Sequence, residues 1–243
     1  MHPNLIPDLR TLYRNQAFMC GWAGIFLNPF YLARKGLFSH VRDLAPNIKG
    51  RTLDIGCGIK PYQDLYSSTE YIGLEIDTPE NRMLKRADYY YDGHRFPFEN
   101  ESFDSAVSSQ VLEHVFNPED FLKEVHRILK ENSVFLLTVP FVWDEHEPPF
   151  DFGRYSSFGI RHLLTKSGFT VLIQRKSVDD VRVIFQLLNA YLYKKTITRS
   201  PLLNTALALL VMAPFNIMGE ILSRLLPRNP DLYLDNIVLA RKG

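Results

Sequence analysis

At 243 residues with 46% hydrophobic content, the chain can bury one good-sized core, which favours a single α/β domain with additions over two domains. Its 28 basic and 27 acidic residues leave a formal net charge of +1, so no electrostatic case exists for a nucleic-acid partner. Two cysteines, Cys20 and Cys57, are too few for a disulfide framework and point to a reducing, cytoplasmic setting.

The N-terminus, Met1 to Asp8, lacks a basic region followed by an apolar core, so no signal peptide is expected. Thr11 to Leu27 is apolar and aromatic, with Leu12, Phe18, Trp22, Ile25 and Phe26 at mixed helical spacings, until Asn28-Pro29 stops it. A second helical piece runs from Phe30 to about Leu44, and the two together read as a cap over the sheet or a surface-seeking helix. Thr52, Leu53 and Ile55 have the character of a short buried strand, and Gly56 and Gly58 follow at once. Such a turn brings bare backbone N–H groups up to a ligand, since side chains there would block the approach. Asp54 stands ready to accept from a cationic or N–H group, and Cys57 reads as a small buried filler rather than a nucleophile. Pro61 argues against a long helix starting directly at the turn.

Tyr71 to Asp77 is a second apolar strand carrying Glu75, about 20 residues after the turn, the offset at which a doubly wound fold sets a carboxylate on a ribose diol. A nicotinamide dinucleotide site and another adenosine site both fit, although the third glycine of the dinucleotide fingerprint is missing. The region Met83 to Tyr91 is expected to hold the third strand, leading to Asp92 and Gly93. Phe103 to Ser108 reads as the fourth, with Gln110 at its C-terminal end, where open α/β sheets bind ligands. Asn117-Pro-Glu-Asp120 opens a helix with a Phe121, Leu122, Val125, Ile128, Leu129 stripe and with Lys123, Arg127 and Lys130 expected to face water. Ser133 to Val139 makes a fifth strand; Ser156 or Ser157 caps a helix ending at Gly168; Phe169 to Val178 and Leu232 to Arg241 complete seven strands.

Taken in order, Leu53-Asp-Ile-Gly-Cys-Gly58, Glu75, Asp92 to Phe98, Glu101-Ser-Phe-Asp104 and Ser108-Ser-Gln-Val-Leu-Glu-His114 resemble the motifs of class I S-adenosylmethionine-dependent methyltransferases. The resemblance covers Arg51 to about Val178, with a last matching strand near the C-terminus. It implies an α/β fold: a doubly wound, seven-stranded, mostly parallel sheet of Rossmann-like methyltransferase type, with S-adenosylmethionine as cofactor. On that likeness Asp54, Gly56 and Gly58 hold the amino-acid end, Glu75 the ribose, Asp92 and Gly93 the adenine, Gln110 borders the sulfonium, and Cys57 and Ile76 also line the cofactor. The histidine of the recurrent Leu-Glu-His, here His114, is more often structural in the family.

Pro140 to Tyr155 leaves the C-terminal end of a central strand and is expected to hang over the transferred methyl group. In-line displacement needs an aligned, desolvated and deprotonated nucleophile. His146 is the candidate base, Asp144, Glu145 and Glu147 its orienters, and Trp143 and Phe150 the walls. The pattern His146-x4-Asp151-x2-Arg154-Tyr155 resembles a segment of family members acting on sugars, lipids and other small acceptors, which makes His146, Arg154 and Tyr155 the catalytic candidates. An Arg154–Asp151 clamp that only fixes the loop is the competing reading. No metal is expected, because consecutive acids on an extended loop point apart and no second His or Cys cluster is apparent.

From Ser200 to Gly219 no residue is charged. The length permits a membrane span, but the seventh strand must return to the sheet, and Asn204, Pro214 and Asn216 weaken a spanning helix. A helical hairpin that lies on a membrane, forms a lid or faces a homodimer partner is expected instead. The layout is then residues 1–45 as a helical cap and 46–243 as the methyltransferase domain, with an apolar helical insertion at 180–228. The expected acceptor is a small molecule, a lipid or a lipid-linked glycan, met in the cytoplasm or at the inner membrane face. A non-catalytic scaffold at the membrane and a nicotinamide-dependent oxidoreductase are the alternatives.

Overall fold

The computed structural model describes residues 18–243. Seven strands, β1 (Lys49–Ile55), β2 (Ser67–Ile76), β3 (Tyr89–Tyr91), β4 (Phe103–Ser109), β5 (Leu129–Pro140), β6 (Phe169–Ser177) and β7 (Asp235–Lys242), form one sheet in the order β3-β2-β1-β4-β5-β7-β6. The pairs β1–β2, β1–β4, β2–β3 and β4–β5 are parallel, and β7 runs antiparallel to β5. The chain steps outward from β1 to β3 and then returns to β4. The C-terminal ends of β1 and β4 therefore flank a switch point, where a doubly wound sheet leaves a crevice. The expected sheet is present.

Burial on both faces explains the apolar strands. Leu53 lies opposite Ile72 on one side and Ala106 on the other, and Leu137 opposite Val238. All of these side chains are buried, and each large one contributes about 1.5–3 kcal/mol by leaving water. Helix α1 (Tyr31–Leu44) precedes β1, α2 (Pro79–Leu84) precedes β3, α3 (Pro118–Ile128) precedes β5 and α4 (Ser157–Lys166) precedes β6. Between β1 and β2 there is only a 3-10 turn, Gln63–Leu65, in keeping with Pro61. Helix α3 buries Phe121, Leu122, Val125 and Ile128, and Ser156 caps α4 by accepting from the Gly159 N–H at 3.2 Å.

The region Met83 to Tyr91 holds the third strand, at Tyr89–Tyr91; ahead of it Thr78 caps α2 by accepting from the Asn81 N–H at 3.1 Å and Pro79 opens that helix. One expectation needs correction. Arg127 does not simply face water: it donates to the carbonyls of Phe98 (2.8 Å) and Phe96 (3.1 Å) and pairs with Glu124 at 2.7 Å. It thereby clamps the loop after Asp92 onto α3.

By its contacts the chain divides into two compact units. One comprises residues 40–176 with 235–243; its core includes Leu53, Leu74, Phe103, Leu122, Phe135 and Val238. The other comprises the residues up to Ser39 with Ser177–Leu234, and packs Ile25 and Phe185 against buried Cys20, Tyr31 and Leu32. The helix expected over Thr11–Leu27 lies partly outside the described residues; within them, Phe18 is helical, residues 19–23 are not, and Gly24–Leu27 forms a single turn. Gly21 and Gly24 weaken a continuous helix there.

In this second unit α5 (Arg182–Thr196) packs on α6 (Pro201–Leu225) as a helical hairpin; the segment 200–219, expected to form a hairpin by itself, is one arm of it. Buried Asn189 donates to Asn216 Oδ1 at 2.9 Å, and Asn216 donates to the carbonyls of Ile25 and Asn28 at 3.0 and 3.1 Å. Helix α6 widens into a π turn at Ala208–Met212, which makes room for Pro214, a residue without an N–H and with a ring that crowds the preceding turn. By length and composition α6 could cross a membrane. The 15 residues of α5 reach only about 22 Å, short of the ~30 Å hydrocarbon layer, so they cannot carry the chain back. With β6 and β7 in one sheet, a crossing by α6 would need a second crossing to bring the chain back. The hairpin leaves and rejoins the sheet at one neck, where the Leu234 N–H donates to the Ser177 carbonyl at 3.0 Å.

Candidate active site

The first strand ends in the glycine turn. Gly56 and Gly58 both have positive φ, +70° and +50°. A Cβ on Gly56 would lie 2.3 Å from Val111 Cγ2, whereas one on Gly58 would meet no atom within 4 Å. The Gly56 and Cys57 N–H groups both donate to the Leu74 carbonyl, at 2.8 and 3.3 Å, and the Gly58 N–H donates to Glu75 Oε1 at 2.6 Å. Cys57 is buried, with its thiol pushed up to about 12 by that burial, so it is an inert filler rather than a nucleophile.

Two acids stand at this turn. Asp54 is buried and accepts from the Tyr71 hydroxyl at 2.6 Å; burial pushes its carboxyl up to about 7, and the charge of Glu75 adds to the shift. Burial also raises Glu75, against the lowering effect of the Gly58 N–H. Two carboxyls strained in this direction are a site for positive charge, which would relieve both. Asp77, the other acid at the tip of β2, is instead held in a two-point ion pair by Arg82.

Ile76 is exposed, and its Cδ1 lies 3.7 Å from the position of a Cβ on Gly93, so these two form an apolar step beside the turn. Asp92 is exposed and accepts at Oδ1 from the His94 N–H (2.9 Å) and the Arg95 N–H (3.3 Å), which fixes its loop and holds its carboxyl below the ordinary value. Gln110 has a left-handed backbone, φ +59°, held by its N–H on the Thr138 carbonyl at 2.9 Å. Its side-chain amide reaches Thr138 Oγ1 at 3.3 Å.

The loop after β5 carries the remaining candidates. Arg154 donates through both guanidinium ends to Asp151, at 2.6 and 2.7 Å, and holds that carboxyl well below the usual carboxylate range. Asp151 in turn accepts from the His146 N–H at 3.0 Å and lies 3.3 Å from His146 Nδ1. The clamp is therefore real, and its far end is the imidazole. Tyr155 is half-buried, with its phenol raised by that burial, and its carbonyl accepts from Asn236 at 2.7 Å.

Sequence reasoning missed Glu113 and the partner of His146. The rings of His114 and His146 meet edge to face with centroids 4.7 Å apart, and the Glu113 side chain is fully buried beside them, its carboxyl pushed up to about 8 by burial. The signal available was the Leu-Glu-His segment immediately past a parallel strand end. Nothing in the sequence tied it to His146.

Strand ends, a glycine turn and an acid reaching back to it line the crevice that a doubly wound sheet offers a nucleotide-like ligand. Residues 53–137 match the family model described as a methyltransferase domain. An uncharacterized protein of Methanocaldococcus jannaschii is 30% identical over 96 residues, a match that spans 38% of either chain. Three solved structures share the fold at 17–18% identity. The [4+2]-cyclase SpnF has a TM-score of 0.57, covering 88% of this chain and 83% of that one. An S-adenosylmethionine-dependent methyltransferase from Mesorhizobium loti has 0.54, covering 86% and 99%. A Haemonchus contortus phosphoethanolamine N-methyltransferase 2, in complex with phosphomonomethylethanolamine and S-adenosylhomocysteine, has 0.55, covering 100% and 61%. One of these folds is a cyclase, so the reaction must be argued from the residues.

Proposed function

We propose that the chain transfers the methyl group of S-adenosylmethionine to a small-molecule, lipid or lipid-linked glycan acceptor. The observation that carries the reading is the Glu75 carboxylate on the Gly58 N–H with Asp54 buried behind it. A ribose diol can take up Glu75, and the amino cation of the cofactor relieves the Asp54 and Glu75 charges. Ile76 and Gly93 receive the adenine, with Asp92 at its edge and Gln110 by the sulfonium. The acceptor's nucleophilic atom attacks the methyl carbon in line; the new bond to carbon forms as the carbon–sulfur bond breaks, leaving S-adenosylhomocysteine and a proton to be removed. His146 activates the acceptor, Arg154 and Asp151 position His146, and Tyr155 walls the acceptor space.

Residues 46–243 are read as the methyltransferase domain and 180–228 as its apolar insertion. Support for a lipid acceptor at the cytoplasmic membrane face comes from α6, on which Leu202, Leu210 and Leu225 are 86%, 77% and 73% exposed. Calorimetry against S-adenosylhomocysteine and NAD tests the cofactor: binding of the first alone supports the reading, and binding of neither returns the chain to a scaffold. Labelled-methyl transfer to fractionated lipids, glycans and metabolites from the native cell then tests the acceptor.

A further inference from the structure

Three groups at the end of β4 and in the loop after β5 remain to be explained. The Glu113 side chain is 0% exposed, and neither of its carboxylate oxygens has a hydrogen-bond partner. Burying an unpaired carboxyl is costly, and a positive charge beside it is the usual compensation. The nearest ring nitrogen is His114 Nε2, 3.9 Å from Glu113 Oε1. His114 Nδ1 lies 2.6 Å from the Phe150 carbonyl, which can only accept, so Nδ1 carries the hydrogen and Nε2 is the nitrogen whose lone pair the neutral ring offers. His146 repeats the arrangement. Its Nδ1 faces two acceptors, the Asp144 carbonyl at 3.2 Å and Asp151 Oδ2 at 3.3 Å. Arg154 Nη2 also approaches that nitrogen, but more distantly, at 3.5 Å, and the closer acceptors decide the tautomer.

A metal-binding imidazole has one ring nitrogen donating to a carbonyl or carboxylate and the other bare. Both histidines meet that description, and a ligand atom of each lies with one of Glu113 within 4.8 Å of one another. Ligands 2.0–2.2 Å from a cation stand about 3–3.5 Å apart, a closure within reach of side-chain rotation. Glu147 Oε2, 4.0 Å from His114 Nε2, borders the same space, and its charge is felt at Glu75.

We propose that Glu113, His114 and His146 bind one divalent first-row cation, two imidazoles and a carboxylate on one side, with the remaining positions open to the acceptor. Imidazole with carboxylate suits zinc, iron or manganese, and the open positions suit an oxygen nucleophile. His146 then activates the acceptor through the cation. A hydroxyl coordinated there releases its proton to water, its oxygen forms the bond to the methyl carbon, and the carbon–sulfur bond breaks. The use made of the metal rests on the methyltransferase reading; its binding does not.

The test is titration of the chelator-treated full chain with Zn2+ and Mn2+, by calorimetry and by Mn2+ electron paramagnetic resonance, beside titration with S-adenosylhomocysteine. One saturable site per chain is expected, weakened at least ~100-fold in Glu113→Gln and in His146→Gln and about 10–100-fold in Asp151→Asn, which removes only the orienting carboxylate. Variants are compared only where circular dichroism shows a wild-type fold, and the conservative Asp151→Asn change supplies the result if Glu113→Gln does not fold. No saturable binding to wild type, or binding indifferent to these changes, overturns the site. Metal binding without S-adenosylhomocysteine binding upholds the site and overturns the methyltransferase reading; the reverse result spares that reading and removes the metal.

Discussion

Gly58 donates its backbone N–H to Glu75 Oε1 across 2.6 Å, so the tip of the second strand is tied back to the turn that ends the first. A hydrogen bond to a charged group contributes ~1.5–3 kcal/mol, which sets the scale of the first prediction. Glu75→Gln should weaken S-adenosylhomocysteine binding roughly tenfold to a hundredfold by calorimetry. Asp77→Asn, whose acid is already engaged by Arg82, should change it by less than about threefold. Equal losses in the two variants would show that the wrong acid has been chosen.

The two glycines of the turn should respond differently to a methyl group. Gly58→Ala meets no atom within 4 Å, and only its left-handed backbone, φ +50°, opposes the change, about 1–2 kcal/mol. Gly56→Ala adds a contact of 2.3 Å with Val111 to the same strain and should cost about 2–5 kcal/mol. Urea denaturation of both proteins gives the comparison; a more stable Gly56→Ala than Gly58→Ala would contradict it.

Asp54 makes the unliganded fold sensitive to pH. Its carboxyl ionises near 3.9 in an unfolded chain but at about 7 in the fold, raised chiefly by burial. Between those values the folded chain keeps a proton that the unfolded chain releases, so the stability present below pH ~3.9 is lost as the pH rises through about 7. Relative to Asp54→Asn, the unliganded wild type should therefore grow less stable between pH 5 and pH 8 in urea titrations. Binding of the cationic cofactor near pH 6.5 should release a proton, read by calorimetry in buffers of different ionisation enthalpy, and Asp54→Asn should abolish that release.

Arg154→Lys keeps the charge and loses the two-point grip on Asp151. S-adenosylhomocysteine affinity should be unchanged, while methyl transfer falls roughly 10–100-fold as His146 loses its fixed position. Full activity in Arg154→Lys would reduce the clamp to loop stability.

On α6, replacing Leu202, Leu210 and Leu225 together by glutamine should cut flotation with zwitterionic liposomes more than about tenfold, since each buried leucine contributes about 1.5–3 kcal/mol. Wild-type protein that stays with the soluble fraction would remove the membrane from the proposal.

The sheet was legible because parallel strands buried on both faces must be continuous apolar runs, and Leu53, Ala106 and Leu137 sit in such runs. The glycine turn and its acid were legible for a similar reason: β1, its glycines and Glu75 follow one another closely in the chain. The N-terminal helix was overextended because aromatic spacing was weighed above Gly21 and Gly24. Arg127 and His114 illustrate the rest. Their partners, the Phe96 and Phe98 carbonyls in one case and His146 in the other, are chosen by tertiary packing, which no local pattern encodes.

The Leu234–Ser177 hydrogen bond has a further meaning. A segment that starts and finishes at one point can change length while strand pairing on either side keeps its register. Its ties to the N-terminal residues, Asn216 on the Ile25 and Asn28 carbonyls, mean that any replacement of Val178 to Tyr233 has to supply new partners for those groups, while the β5–β7–β6 order stays as it is.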